Sequence, residues 1–155
     1  MEDVKPWAAA CYPHEGCGLL LGDFLPGGDK RVKRFAALPN LLRERTKASA
    51  AVLSVAADTL GRRAQTQGQF EFVMDPAEYN RIALDAGRQG LDVVGVLHTH
   101  PDHPAKPSAT DAAQPLLSGY SVVIVKVDQG RFVEARSWHR AEETDPFQEE
   151  TVVIE

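Results

Sequence analysis

A short apolar run that ends in two histidines constrains this chain more than any other feature. Residues 93–97 read Val-Val-Gly-Val-Leu, and His98, Thr99 and His100 follow directly. A run this short and rich in β-branched residues predicts a buried strand over about 93–98. Because side chains alternate along a strand, His98 and His100 would project together from its end while Thr99 faces away. Two imidazoles on one rigid face suit a divalent metal such as zinc.

An acidic residue after the following Pro-rich turn offers a third ligand. With Asp111 added, three protein ligands would leave one position open for water, as in catalytic zinc sites. The same stretch has a simpler explanation, because Ser108 and Asp111 fit the pattern in which a Ser and an acidic residue three positions later cap a helix. Capping does not explain the paired histidines. Spacing alone therefore leaves both a metal site and a helix cap open.

The order of these residues resembles the signature of the JAMM (MPN+) metalloprotease family. That signature is a Glu near the N-terminus, then His-x-His-Pro, a short spacer and Ser-x-x-Asp. Glu15 opens the pattern here, within the sequence Tyr-Pro-His-Glu-Gly-Cys-Gly-Leu-Leu-Leu-Gly at 12–22. Residues 119–125 also resemble the family's strand after the Asp-bearing helix. The resemblance extends from about Glu15 to Trp138.

The resemblance implies a role for each residue of the signature. His98, His100 and Asp111 would bind one Zn²⁺ per chain, and Glu15 would be the general acid/base. Ser108 would orient the water or stabilise the oxyanion. Bound zinc lowers the pKa of water from about 15.7 to about 7, and a carboxylate can then carry one proton per turnover. His14, His103 and His139 are expected to be structural or exposed, and Cys17 to be a buried thiol that packs a strand.

Composition narrows the class of protein. The chain has 155 residues, 43% of them hydrophobic and 25% charged, which predicts one catalytic domain over 1–155. The net charge of −5 argues against nucleic acid as a partner. Two cysteines, Cys11 and Cys17, make neither a disulfide framework nor a Cys-rich zinc site. Without a secretory signal or an apolar run near the ~18 residues of a membrane span, we expect a cytoplasmic protein with no membrane partner.

Periodicity and turn signals predict an α/β fold. Strands are expected at 18–22, 31–38, 70–74, 93–98, 121–127, 131–138 and 151–154, with turns at 26–29 and 128–130. Helices are expected at 48–67 and from Pro76 to about Gln89, the second with Asp75 as N-cap and Gly90 after its end. The result is a sandwich with a central mixed β-sheet flanked by helices. The resemblance implies the JAMM/MPN-like (cytidine-deaminase-like) form of it.

One segment lengthens the chain relative to simpler bacterial members of the family. Residues 47–68 would cap the substrate groove, form a homodimer surface, or cover the sheet as a surface elaboration. We favour the last interpretation slightly. The segment leaves the substrate preference open.

The resemblance implies a zinc metallopeptidase that acts after the C-terminal Gly-Gly of a ubiquitin-like sulfur-carrier protein of the ThiS/MoaD kind. A deubiquitinase-like isopeptidase, which removes such a protein from lysine, is the alternative with the same chemistry. Two other classes are a metal-free MPN scaffold and a DNA-repair-associated protein of the RadC type. The complete set of signature residues disfavours the scaffold. The acidic charge, and the lack of room for a helical DNA-binding region, disfavour the RadC type.

Overall fold

Six strands form one mixed sheet in the part of the chain that the structure describes. This structure is a computed structural model, and it describes residues 1–42, 72–114 and 117–154. The strands are β1 (Cys17–Phe24), β2 (Lys30–Leu38), β3 (Asp92–Pro101), β4 (Ser121–Asp128), β5 (Arg131–His139) and β6 (Gln148–Glu150). Their order is β2-β1-β3-β4-β5-β6, and β3 and β4 are its parallel pair. The predicted α/β class with a central mixed sheet is confirmed.

Helices cover both faces of this sheet. They are α1 (Val4–Cys11), α2 (Pro76–Arg88) and α3 (Ala109–Ala112). On one face, Ile82 and Ala86 of α2 pack in a buried cluster with Leu19 and Leu21 of β1. On the other, Val4 and Ala8 of α1 pack with Leu20. No helix within the described ranges is both long and apolar enough to cross a membrane.

Because both faces are covered, the central strands are buried along almost their whole length, as this arrangement requires. In β1 the first six residues are buried, and β3 is buried from Val94 onward. The chain leaves β3 at Pro101 and returns to the sheet in the parallel β4. This crossover contains a loop and α3, so it brings Ser108 and Asp111 back over the end of β3.

Local signals predicted α2 well. The Asp75 side chain accepts a hydrogen bond from the backbone N–H of Ala77 at 2.8 Å, and Pro76 occupies the first turn. Gly90 follows the helix with φ of 70°, a conformation that costs glycine little. An N-cap of this kind contributes about 1 kcal/mol to helix stability.

Three predictions about secondary structure need correction or lie outside the described residues. The strand expected at 151–154 is wrong, because β6 ends at Glu150 and Val152, Val153 and Ile154 are exposed. Of the strand expected at 70–74, residues 72–74 make only an isolated bridge between Met74 and Asn40. The helix expected at 48–67 and the lengthened segment 47–68 lie outside the described residues.

Helix α1 was not predicted. Its buried residues, Val4, Ala8 and Cys11, are spaced by four and three positions, which is the pattern of one helical face. With only eight residues and Pro6 near its start, the segment is too short for that pattern to be recognised.

Candidate metal centre

Two imidazoles and one carboxylate converge at the end of β3. His98 Nε2 lies 3.0 Å from His100 Nε2 and 3.0 Å from Asp111 Oδ1, and His100 Nε2 lies 3.3 Å from Asp111 Oδ2. The ligand atoms of the three residues lie within 4.8 Å of one another, and all three side chains are buried. Across residues 1–42, 72–114 and 117–154, no second group of His, Cys, Asp or Glu has this arrangement. These three side chains could hold a metal ion.

Hydrogen bonding assigns the tautomer of His100. Its Nδ1 lies 2.8 Å from the carbonyl oxygen of Pro104. Since a carbonyl can only accept, Nδ1 carries the proton, and in the neutral ring the lone pair of Nε2 faces Asp111. Metal-binding histidines usually hold their second ring nitrogen in this way. His98 differs, because its buried Nδ1 has no hydrogen-bond partner among the described residues.

The charges in the cluster suit a cation. Burial lowers the pKa of His98 below its ordinary value, although Asp111 opposes this, so His98 is neutral near pH 7. Burial alone would raise the pKa of Asp111. The neighbouring His98, together with the hydrogen bond from the backbone N–H of Ser108, outweighs burial and holds the pKa of Asp111 well below its usual range. Because its pKa is lowered, Asp111 is ionised at neutral pH and gives the cluster a local negative charge.

Asp111 reaches this position through the cap of α3. Ser108 is the N-cap, and its Oγ accepts from the backbone N–H of Asp111 at 3.1 Å. Asp111 Oδ2 accepts in return from the backbone N–H and the hydroxyl of Ser108, at 2.7 and 2.8 Å. The predicted helix cap is therefore present. It coexists with the histidine cluster, which contacts the same carboxylate.

Glu15 lies immediately before β1, beside the strand that carries the histidines. Cys17 pairs with His98 in the antiparallel register, and Gly16 exchanges two hydrogen bonds with Thr99. Side chains of paired residues share a face, and alternation then places Glu15 on the face of His98 and His100. Glu15 is 6% exposed, so its carboxylate lies in a largely buried position.

Three polar side chains that no sequence motif indicates hold the backbone around the cluster in place. Asn40 Nδ2 donates to the carbonyl of Glu15 at 2.8 Å. The buried Arg140 donates to the carbonyls of Ala112 and Gln114, each at 2.8 Å, just after α3. Trp138 Nε1 donates to the carbonyl of Ala105 at 3.0 Å, in the loop between His100 and Ser108. Their partners are backbone groups far away in sequence, so no motif indicates them.

The remaining candidates are not part of the group formed by His98, His100 and Asp111. His103 is exposed, and His139 Nδ1 lies 3.1 Å from the carbonyl of Tyr120. Burial raises the pKa of the Cys17 thiol to about 12, so the thiol stays protonated at neutral pH. Its Sγ lies 3.8 Å from the carbonyl oxygens of Leu38 and Pro39. Cys17 thus packs in the core, as expected.

Comparison with known proteins agrees with this architecture. This chain carries His-x-His at the end of β3 and Ser-x-x-Asp on the crossover that follows. The family model described as prokaryotic homologs of the JAB domain matches residues 3–141, and the chain belongs to this family. The predicted resemblance to the JAMM family is thereby confirmed.

Individual relatives match almost the whole chain. The desampylase of Haloferax volcanii is 30% identical over 155 residues, which is 100% of this chain and 88% of that protein. A solution structure from Salinibacter ruber is 33% identical with a TM-score of 0.66, covering 99% of this chain and 86% of the other. One from Desulfitobacterium hafniense is 27% identical with a TM-score of 0.73, covering 100% and 88%.

Proposed function

We propose that this protein is a zinc-dependent hydrolase that cleaves the peptide or isopeptide bond after the C-terminal Gly-Gly of a ubiquitin-like protein. The observation that carries the proposal is the convergence of His98, His100 and Asp111. Glu15 lies two residues before Cys17, the partner of His98 in the sheet, and strand alternation would turn its side chain to the same face. Membership of the prokaryotic JAB family supports hydrolase chemistry at this position. The proposal assigns metal binding to the first three residues and proton transfer to Glu15.

The spacing of the three side chains fits zinc. With bonds of 2.0–2.1 Å in a tetrahedron, two ligand atoms on zinc are roughly 3.3 Å apart. The two imidazole nitrogens are 3.0 Å apart, and they lie 3.0 and 3.3 Å from Oδ1 and Oδ2, respectively, of the Asp111 carboxylate. Two imidazole nitrogens and one carboxylate oxygen are donors that zinc accepts, and three protein ligands leave room for a fourth.

When bound, zinc would supply Lewis acidity and lower the pKa of a water to near neutrality. Glu15 would accept the proton of the attacking water and deliver it to the leaving amine. Its buried position favours this role, because burial excludes bulk water from the carboxylate. His98 would remain neutral, and Asp111 ionised, throughout.

Ser108 has two duties in this proposal. Its hydroxyl donates to Asp111 Oδ2, which orients the carboxylate. Ser108 is exposed beside the buried Asp111, so a rotated hydroxyl would reach a substrate at the surface of the cluster. There it would orient the attacking water or donate to the developing oxyanion.

The name of one relative helps to choose between the two possible leaving groups, a peptide and a lysine side chain. The Haloferax volcanii relative is named desampylase, which supports the isopeptidase form, in which a ubiquitin-like modifier is released from lysine. Processing of a ThiS/MoaD-like sulfur carrier is the narrower form of the same proposal. A Gly-Gly tail suits either, because glycine lets an extended chain lie close to the protein without side-chain clashes.

Intact-mass analysis of two substrates tests the proposal. The first is a ThiS-like carrier extended by a few residues beyond Gly-Gly. The second is the same carrier joined through Gly-Gly to the lysine of a peptide. Zinc-loaded protein should cut at least one after Gly-Gly, and a chelator or Glu15→Gln should stop the reaction. Cleavage of the linear substrate alone would indicate that the protein processes carriers. Cleavage of the lysine-linked substrate would indicate an isopeptidase. Intact substrates with zinc-loaded protein would refute the proposal.

A further inference from the structure

The peptide group between Glu15 and Gly16 is held at both ends by buried side chains. Its carbonyl, which belongs to Glu15, accepts from Asn40 Nδ2 at 2.8 Å. Its N–H, which belongs to Gly16, donates to Thr99 Oγ1 at 2.8 Å. Asn40 is 4% exposed and Thr99 is 1% exposed, so water does not compete for either bond.

Two such bonds determine how this peptide group is rotated. The group is planar, and its C=O and N–H point in opposite directions. Holding both ends therefore sets the last backbone dihedral of Glu15 and the first of Gly16. The direction in which the Glu15 side chain leaves the backbone follows from these angles. A carboxylate that moves protons needs that direction held to a fraction of an ångström.

The two side chains are themselves oriented by their surroundings. Asn40 Oδ1 accepts from the backbone N–H groups of Leu42 and Val73, both at 3.1 Å, so Nδ2 must face Glu15. The backbone N–H of Thr99 donates to the carbonyl of Gly16 at 3.0 Å, which aligns Thr99 with that residue. Neither amide nor hydroxyl can turn without leaving a buried N–H unpaired.

Helix α1 packs against Gly16, the second residue of this peptide group. A Cβ added at Gly16 would lie 2.5 Å from Cys11 Sγ and 2.9 Å from the Trp7 ring. The backbone of Gly16 thus packs closely against α1, and no side chain larger than hydrogen fits there.

We propose that Thr99 and Asn40 are positioning residues that aim the Glu15 carboxylate at the reacting water and the leaving amine. Thr99 stands between the two histidines but faces away from them, so it links their strand to Glu15 without binding metal. The inference rests on the proposed function, since it concerns the proton transfer assigned to Glu15.

Substitutions at Thr99 separate the hydrogen bond from packing. Thr99→Val keeps the shape and removes the acceptor for Gly16 N–H, whereas Thr99→Ser keeps the acceptor and removes a methyl group. We expect Thr99→Val to lower kcat roughly 10- to 100-fold, with KM and bound zinc unchanged, and Thr99→Ser to stay close to the wild type. Thermal unfolding identifies a temperature at which all variants are folded.

A second variant makes the test independent of whether Thr99→Val folds. Asn40→Asp keeps an acceptor for Leu42 and Val73 but replaces the donor to Glu15. It should show the same signature, a fall in kcat at constant KM and zinc content. Wild-type kcat in folded Asn40→Asp or Thr99→Val, or loss of zinc along with activity, would overturn the inference. An inactive, zinc-loaded wild type would instead refute the proposed function.

Discussion

The carboxylate of Asp111 accepts two hydrogen bonds from Ser108, at 2.7 Å from the backbone N–H and 2.8 Å from the hydroxyl. Both bonds reach Oδ2, while Oδ1 lies 3.0 Å from His98 Nε2. One side chain therefore closes the cap of α3 and completes the candidate metal cluster. The helix cap and the cluster, which are alternatives in the sequence, are two contacts of the same carboxylate.

Removing the proposed proton carrier should stop the proposed reaction without emptying the metal site. Glu15→Gln keeps the size of the side chain and loses its basicity. We expect kcat to fall at least about 10²-fold, in line with the loss of a general base. Metal content, measured by mass spectrometry of the purified protein, should match the wild type. Retained turnover would show that Glu15 is not the base.

Replacing one of the proposed metal ligands should instead lower the zinc content of the protein. Asp111→Asn keeps an oxygen that can accept from Ser108 but loses the negative charge between the histidines. His98→Gln removes one imidazole. In both variants zinc content after dialysis should fall well below one ion per chain, because a structural partner of the ion is lost. Full zinc occupancy in both would contradict the assignment of ligands.

Ser108→Ala should affect both catalysis and stability. Loss of the N-cap hydroxyl is expected to cost about 1 kcal/mol in the free energy of unfolding. If the hydroxyl also stabilises the oxyanion, kcat should fall roughly 10²–10³-fold. Chemical denaturation and steady-state kinetics on the same samples measure the two effects. A change confined to stability would leave Ser108 with the capping role alone.

Acid should destabilise the metal-free protein below about pH 6.5. The pKa of buried His98 lies below its ordinary value, so on acidification the unfolded chain takes up that proton before the folded one does. The free energy of unfolding then falls by at most about 1.4 kcal/mol per pH unit for this one proton.

The stability that Asp111 contributes through its lowered pKa is present above its unfolded value of about 3.9. It is lost as the pH falls from there through the folded pKa.

Urea denaturation in the presence of a chelator, from pH 7.5 to 5, tests this slope. His98→Gln is the control, because it cannot take up the proton and should lose most of the pH dependence. An equal slope in wild type and control would assign the acid sensitivity to other groups.

Local sequence patterns predict β3, α2 and the family of this protein. The apolar run before His98 predicts β3, because burial and strand alternation are properties of adjacent residues. The Asp75-Pro76 start and the Gly90 end predict α2, since caps satisfy backbone groups within a turn of themselves. The motif resemblance predicts the family for the same reason: His98, Thr99, His100 and the Ser108–Asp111 stretch lie close together in sequence.

Local sequence patterns do not predict contacts between segments that are distant in sequence. The strand expected at 151–154 is absent because pairing with β5 is made by Gln148–Glu150 instead, and apolar composition does not specify a partner strand. Asn40 and Arg140 have no motif, because each donates to backbone carbonyls that only the folded sheet brings near.

The sequence by itself determined which chemical groups the site contains, since His98, His100, Asp111 and Glu15 are side chains of suitable type in a recognisable order. Only the tertiary structure decided how the cluster is assembled, because the crossover returns Asp111 to the end of β3. It also decided how the peptide group after Glu15 is held, through hydrogen bonds to two other segments of the chain. Hydrogen bonds of this kind require an orientation that spacing in sequence does not encode.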